Sequence, residues 1–252
     1  MTFPELDLRP VIVVMGASGG IGSCLCRRLR ANLDARLILF GRAKEKLDLL
    51  AREVDGQAIV GDATNFEQVE RMMEQVTTSH GKVDGVANCV GSILLKSAHL
   101  TSFDEYQSTI STNLGSAFGI VRAAGKHMAT HGGSVLLFSS GAARVGLPNH
   151  EAIAAAKGAI DALVRSASAT YAARNLRFNA IAPGLVETPL SARITSNEAS
   201  LKASRAMHPL GRIGAPSDIA SAAEFFLNPH NSWITGQILG VDGGLADIKG
   251  RA

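Results

Sequence analysis

The sequence predicts an α/β protein built on a doubly wound parallel sheet. Two observations predict it. Short, continuously apolar runs alternate with longer amphipathic stretches along the whole chain, the pattern of strands buried on both faces and helices laid over them. A glycine-rich turn, "GASGGIG" (16–22), follows the first apolar run and opens the first helical pattern. The chain has 252 residues and 46% hydrophobic content. At that length it buries roughly three quarters of its unfolded surface and needs neither disulfide nor metal to fold. Length alone allows one large domain or two small ones.

The elements follow in order. "VIVVM" (11–15) is the first strand and a helix near 20–32 comes after the glycines. "RLILF" (36–40) precedes a helix near 43–54, and "QAIV" (57–60) one near 66–79. "VDGVAN" (83–88) leads to a helical stretch near 103–130, and "SVLLFS" (134–139) to one near 150–173. "LRFNAIA" (176–182) is the sixth strand. A helix near 216–227 and "QILGV" (237–241) close the series. Residues 189–212 break the alternation and read as an insertion after the sixth strand, a candidate substrate lid. No repeat, low-complexity tract or linker interrupts the pattern.

Several function classes are excluded. The formal charge is +3, and Arg27, Arg28 and Arg30 fall on one helix as a solvated face, so no nucleic-acid partner is expected. No run reaches the ~18 apolar residues of a membrane span, and the opening "MTFPELDLRP" is acidic where a secretion signal is basic. Cys24, Cys26 and Cys89 lack CxxC spacing and read as free thiols of a reducing, cytoplasmic compartment. His127 and His131 stand four apart with no evident third ligand, at a helix end where histidine suits the dipole. No metal site is expected.

The glycine turn carries the first chemistry. Gly16, Gly20 and Gly22 let the backbone turn sharply, and the helix start behind them offers free N–H groups to a diphosphate. An ordinary tight turn is the alternative, but the place after the first strand is where a dinucleotide belongs. The second strand ends "LFGR". A carboxylate there would bind ribose hydroxyls and repel a 2′-phosphate. Arg42 supplies a cation instead, which favours NADP(H) over NAD(H); a surface arginine at a strand end is the alternative. Asp62 in "VGDA" can accept from an adenine amino group. In "HEAIAAAKGAID" (150–161), His150, Ile153 and Lys157 share one helical face.

Together with "NCVG" (88–91), Asn113 in "STNLG", "FSSG" (138–141) and "NAIAPGLVETPL" (179–190), these motifs resemble the short-chain dehydrogenase/reductase superfamily from about residue 10 to 245. The resemblance implies one doubly wound domain with a seven-stranded sheet, a nicotinamide dinucleotide and a homodimer or homotetramer. It implies that Gly16, Ser18, Gly20, Ile21 and Gly22 hold the diphosphate, and that Asp62 and Ala63 flank adenine. Asn88 and Gly91 would shape the floor under the nicotinamide ribose. Pro183, Gly184, Val186 and Thr188 would meet the carboxamide side. Lys157 would bond the ribose hydroxyls, Asn113 would hold a water behind it, and Ser140 would face the substrate oxygen.

One position departs from that pattern. The family carries Tyr-x-x-x-Lys, and the residue four before Lys157 is Ile153. The chain's other candidates, Tyr106 and Tyr171, read as packing residues. Losing a general acid costs on the order of 10²–10⁴ in rate. His150 stands where the family's enoyl reductases place their tyrosine, seven before the lysine. A helix N-terminus and a nearby Lys⁺ disfavour imidazolium, but a neutral ring can polarise an oxygen. Lining the cleft or capping the helix is its other reading. The expected activity is NADP(H)-dependent oxidation or reduction of a small, largely apolar carbonyl, enone or imine, with a non-standard proton donor. The alternatives are a dinucleotide-binding sensor or partner subunit, and an isomerase or dehydratase on the same site.

Overall fold

The computed structural model describes residues 9–248; the acidic N-terminal run read above lies mostly outside them. Seven strands form: β1 Val11–Met15, β2 Arg36–Gly41, β3 Gln57–Val60, β4 Gly85–Asn88, β5 Gly133–Phe138, β6 Leu176–Pro183 and β7 Ile238–Val241. They make one sheet, ordered β3-β2-β1-β4-β5-β6-β7 and parallel throughout. The helices are α1 Gly20–Leu33, α2 Lys44–Val54, α3 Phe66–His80, α4 Phe103–Ile110, α5 Ser116–His127, α6 Glu151–Tyr171, α7 Ala192–Thr195, α8 Glu198–Met207 and α9 Pro216–Leu227. This is a single Rossmann-type domain.

The continuous apolar runs are explained by a core on each face. Val11, Val13 and Met15 of β1 meet residues of α3, α5 and α6, among them Met73, Ile120 and Ile160. Ile12 and Val14 point the other way, toward Leu25 and Leu29 of α1 and Ile219 and Phe226 of α9. Strand order reverses between β1 and β4. The loops leaving those two strands therefore diverge to opposite faces and leave a crevice at the strand ends.

Three readings change and one gains detail. The helix expected over 103–130 ends at His127 and is interrupted by a π turn, Ser111–Gly115. Asn113 donates to the Thr109 carbonyl at 2.9 Å and the Ser116 hydroxyl to the Thr112 carbonyl at 2.7 Å, so side chains take acceptors from the helical ladder there. The insertion 189–212 holds a Pro189–Ser191 3₁₀ turn, α7 and α8. The arginines of α1 are not merely solvated: Arg27 pairs with Glu53 of α2 at 2.5 Å, Arg28 with Glu224 of α9 at 2.5 Å, and Arg30 with Asp34 and Asp55. Tyr171 packs on Phe178 at 5.6 Å between ring centroids, but Tyr106 is 43% exposed.

Candidate functional site

The crevice begins at the turn after β1. Gly16 has φ +70°, and its amide donates to the Phe40 carbonyl of β2 at 2.8 Å. A Cβ on Gly22 would collide with the Gly16 carbonyl oxygen, so the turn closes only with glycine there. Gly19 is the N-cap of α1, with no side chain capping it and no acidic residue in the first turn. The helix start therefore presents uncompensated N–H groups and the positive end of its dipole. A diphosphate fits this cradle by its chemistry.

A cavity of about 470 Å³ lies over it, walled by Gly16, Ser18, Gly20, Ile21, Gly22, Arg42, Asp62, Ala63 and Gly91 among others. Arg42 is exposed at the end of β2, whereas Lys44 is held by Asp48 at 2.5 Å. The Thr64 amide and hydroxyl each donate to Asp62 at 2.9 Å. The amide is the main cause that holds the Asp62 carboxyl below the usual carboxylate range; the hydroxyl and the Arg42 charge add to it. Asp62 stays ionised and can accept from a base edge, and Arg42 beside it offers a guanidinium to a 2′-phosphate.

A second cavity, about 160 Å³, continues the first through Ile21, Cys89, Val90, Gly91, Thr188 and Leu190, which wall both. Lys157, Asn113, Ser140, Ile153, Pro183, Gly184 and Val186 complete it. Lys157 rises from α6 into this space, and its Nζ donates to the Phe138 carbonyl at 2.7 Å. Burial drives its pKa down to about 8. Burial also pushes the Cys89 thiol up to about 12, with Lys157 opposing, so Cys89 is an inert wall atom. Asn113 is fully engaged: its Nδ2 donates to the Ser92 hydroxyl and the Thr109 carbonyl, both at 2.9 Å, and its Oδ1 accepts from the Ser92 amide at 3.2 Å. Asn88 works from beneath rather than at the wall. Its Nδ2 donates to the Ser116 hydroxyl at 3.1 Å and its Oδ1 accepts from the Val90 amide at 3.3 Å.

A third cavity, about 180 Å³, lies beyond Ile153 and Ser140, which wall it and the lysine cavity alike. Leu95, Leu147, Ile194, Met207 and Leu245 make it apolar, with Ser140, His150, Ser204 and His208 as polar exceptions. The Ser140 hydroxyl oxygen accepts from the Ala142 amide at 3.1 Å, which leaves its proton free for an oxygen in either cavity. His150 is the N-cap of α6 but caps nothing with its side chain. Its Nδ1 lies 2.8 Å from the Pro148 carbonyl. A carbonyl only accepts, so Nδ1 carries the proton and the Nε2 of a neutral ring is an acceptor. The neutral-donor role expected for His150 through Nε2 is thereby closed in this conformation; only its imidazolium donates there.

Sequence reasoning singled out none of Ser204, Met207, His208 and Leu245. Ser204, Met207 and His208 lie in the segment that broke the alternation, which was the only signal they gave.

Known proteins resemble the chain throughout. A family model described as Enoyl-(Acyl carrier protein) reductase matches residues 16–246. The 3-oxoacyl-(acyl-carrier-protein) reductase FabG of Thermotoga maritima is 30% identical over 243 residues, 93% of this chain and 97% of that protein. Among solved structures, a short-chain type dehydrogenase/reductase from Mycobacterium ulcerans superposes with a TM-score of 0.90 at 29% identity, covering 99% of this chain and 93% of the other. ElxO, solved with NADP bound, gives a TM-score of 0.88 at 26% identity over 94% of this chain and 99% of its own.

Proposed function

Because the chain belongs to the short-chain dehydrogenase/reductase superfamily, we propose that it is an NADP(H)-dependent oxidoreductase acting on a small, largely apolar carbonyl, enone or imine. The observation that carries this reading is the joined cavity system. A diphosphate cradle, a buried lysine and an apolar chamber succeed one another along one crevice, sharing walls at each junction. The NADP bound to ElxO supports the cofactor class, and Arg42 supports the phosphorylated form.

The cofactor supplies or takes up hydride when bound. Gly16, Ser18, Gly20, Ile21 and Gly22 hold its diphosphate, and Arg42, Asp62 and Ala63 its adenosine end. Gly91, with Asn88 behind it, floors the nicotinamide ribose, which Lys157 bonds. Pro183, Gly184, Val186 and Thr188 border the carboxamide. Ser140 donates to the substrate oxygen. Asn113 acts by holding Ser92, and through it the loop after β4, beside the lysine.

Ile153 has no proton to give. His150, half-buried on the outer chamber, is the substitute donor to the oxygen at which charge develops. An enone or imine needs least from that donor: a conjugated oxygen is stabilised by hydrogen bonding, and an iminium arrives already protonated. Segment 189–212 acts as the lid of the chamber. The protein is cytoplasmic and assembles as a homodimer or homotetramer.

One observation favours a second reading. Ile153 stands 5% exposed on the shared wall of the lysine and substrate cavities, where an apolar residue serves binding and not proton transfer. A dinucleotide-binding protein without turnover would carry such a wall. Cofactor consumption measured over ketones, enones and imines separates the two. Turnover by the native chain, lowered about 10²-fold or more in kcat in His150→Ala with cofactor affinity kept, supports the enzyme. Turnover that arises only in Ile153→Tyr supports the second reading.

A further inference from the structure

The segment between β6 and α9 holds a buried imidazole that the proposed chemistry leaves unused. His208 follows α8 and is 3% exposed. Its Nδ1 lies 2.6 Å from the Ser204 carbonyl, and the Leu185 amide lies 3.2 Å from its Nε2. A carbonyl only accepts and an amide only donates. One arrangement satisfies both: Nδ1–H donates to Ser204 and the Nε2 lone pair accepts from Leu185. The ring is therefore neutral and fixed in one tautomer. Protonation would turn an N–H toward an N–H, and the bond to Leu185 would be lost.

The two partners belong to different walls. Ser204, on α8, forms the outer side of the apolar chamber together with Met207. Leu185, with Pro183 and Gly184, divides that chamber from the lysine cavity. The close approach is fixed in the backbone: a Cβ on Gly184 would stand 2.5 Å from the His208 Nε2. Any other residue would push the ring off the dividing loop.

We infer that His208 is a positioning residue that ties the roof of the substrate chamber to the loop dividing it from the cofactor cleft, donating to the one and accepting from the other. The charged groups around the ring are already committed. Asp242, after β7, accepts from the Gly244 and Ala246 amides at 2.9 and 3.0 Å. Arg212 pairs with Asp218 of α9 at 2.6 Å, and Arg28 of α1 pairs with Glu224. Arg205 of α8 and Glu187 of the dividing loop are exposed. None of the side-chain bonds named here takes a ring nitrogen of His208.

The inference takes the words cofactor and substrate from the reading above, but its test runs on the cofactor-free protein, so the two fail separately. Hydrogen exchange of peptides over 184–188 and 198–207 is compared at one pH in the native protein, His208→Gln and His208→Leu. His208→Leu makes neither bond, and protection of both peptides falls together, several-fold. His208→Gln, whose Oε1 accepts from the Leu185 amide, keeps the protection of 184–188. Protection unchanged in His208→Leu overturns the inference. So does an equal loss in His208→Gln, which would assign the effect to packing of the ring and not to its bonds.

Discussion

Lys157 is a buried cation whose one direct partner is a main-chain carbonyl. Its folded pKa of about 8 lies below the unfolded value near 10.4. Between the two, the unfolded chain holds more protons, so this group's contribution to stability rises with pH across that window. Lys157→Met lacks the titration. Urea unfolding of the two proteins therefore gives a difference that shifts in favour of the native chain from about pH 8 to about pH 10. Arg42 is a test of a different kind. Hydrogen bonds to charged groups are worth about 1.5–3 kcal/mol, so Arg42→Ala loses about 10- to 100-fold in NADPH affinity while NADH affinity holds. Equal losses for both cofactors would remove the phosphate role. These two residues were legible early, one as a lone cation among alanines and the other as a cation where a carboxylate is common. The proton inventory of His150 was not, because the Pro148 carbonyl that fixes its tautomer is a matter of loop geometry.

At the scale of elements, the apolar runs located every strand to within two residues of its ends, because a parallel sheet covered on both faces demands them. Helix continuity was less legible. The pattern over 103–130 is helical throughout in composition, and only the contacts of Asn113 and Ser116 open the π turn in its middle. That turn has a purpose visible in its bonds. It brings Asn113 against the loop after β4, where Ser92 makes two hydrogen bonds with its side chain. Asn113→Ala leaves the Ser92 amide and the Thr109 carbonyl without this partner in a buried setting. Denaturant unfolding should show a cost of about 1–3 kcal/mol for the groups so exposed. It should also show faster exchange over residues 90–96. Segment 189–212 was recognisable as a departure from the alternation, but its helices are short and polar-faced. Their burial of Ser204 and His208 depends on β6 and the turn after β7, which approach from distant parts of the chain.

For the whole molecule, the reversal of strand order between β1 and β4 explains why residues 75 positions apart, such as Gly16 and Gly91, wall one cavity. The outer surface carries a further expectation. Phe103, Tyr106 and Phe118 are 72, 43 and 48% exposed on α4 and α5. Exposed aromatic side chains are enriched at association surfaces. Light scattering should give a multiple of the chain mass, and Phe118→Glu should shift it toward the monomer. The sequence by itself determined the sheet, the glycine turn, the lysine and the isoleucine four residues before it, because each is carried by local pattern or by a single residue. Tertiary structure alone decided that Ile153 walls two cavities, that the His150 Nδ1 faces the Pro148 carbonyl, and that His208 joins two walls. The first and last arise between segments far apart in the chain and the second in a loop, where hydrogen-bond partners are set by packing and not by spacing.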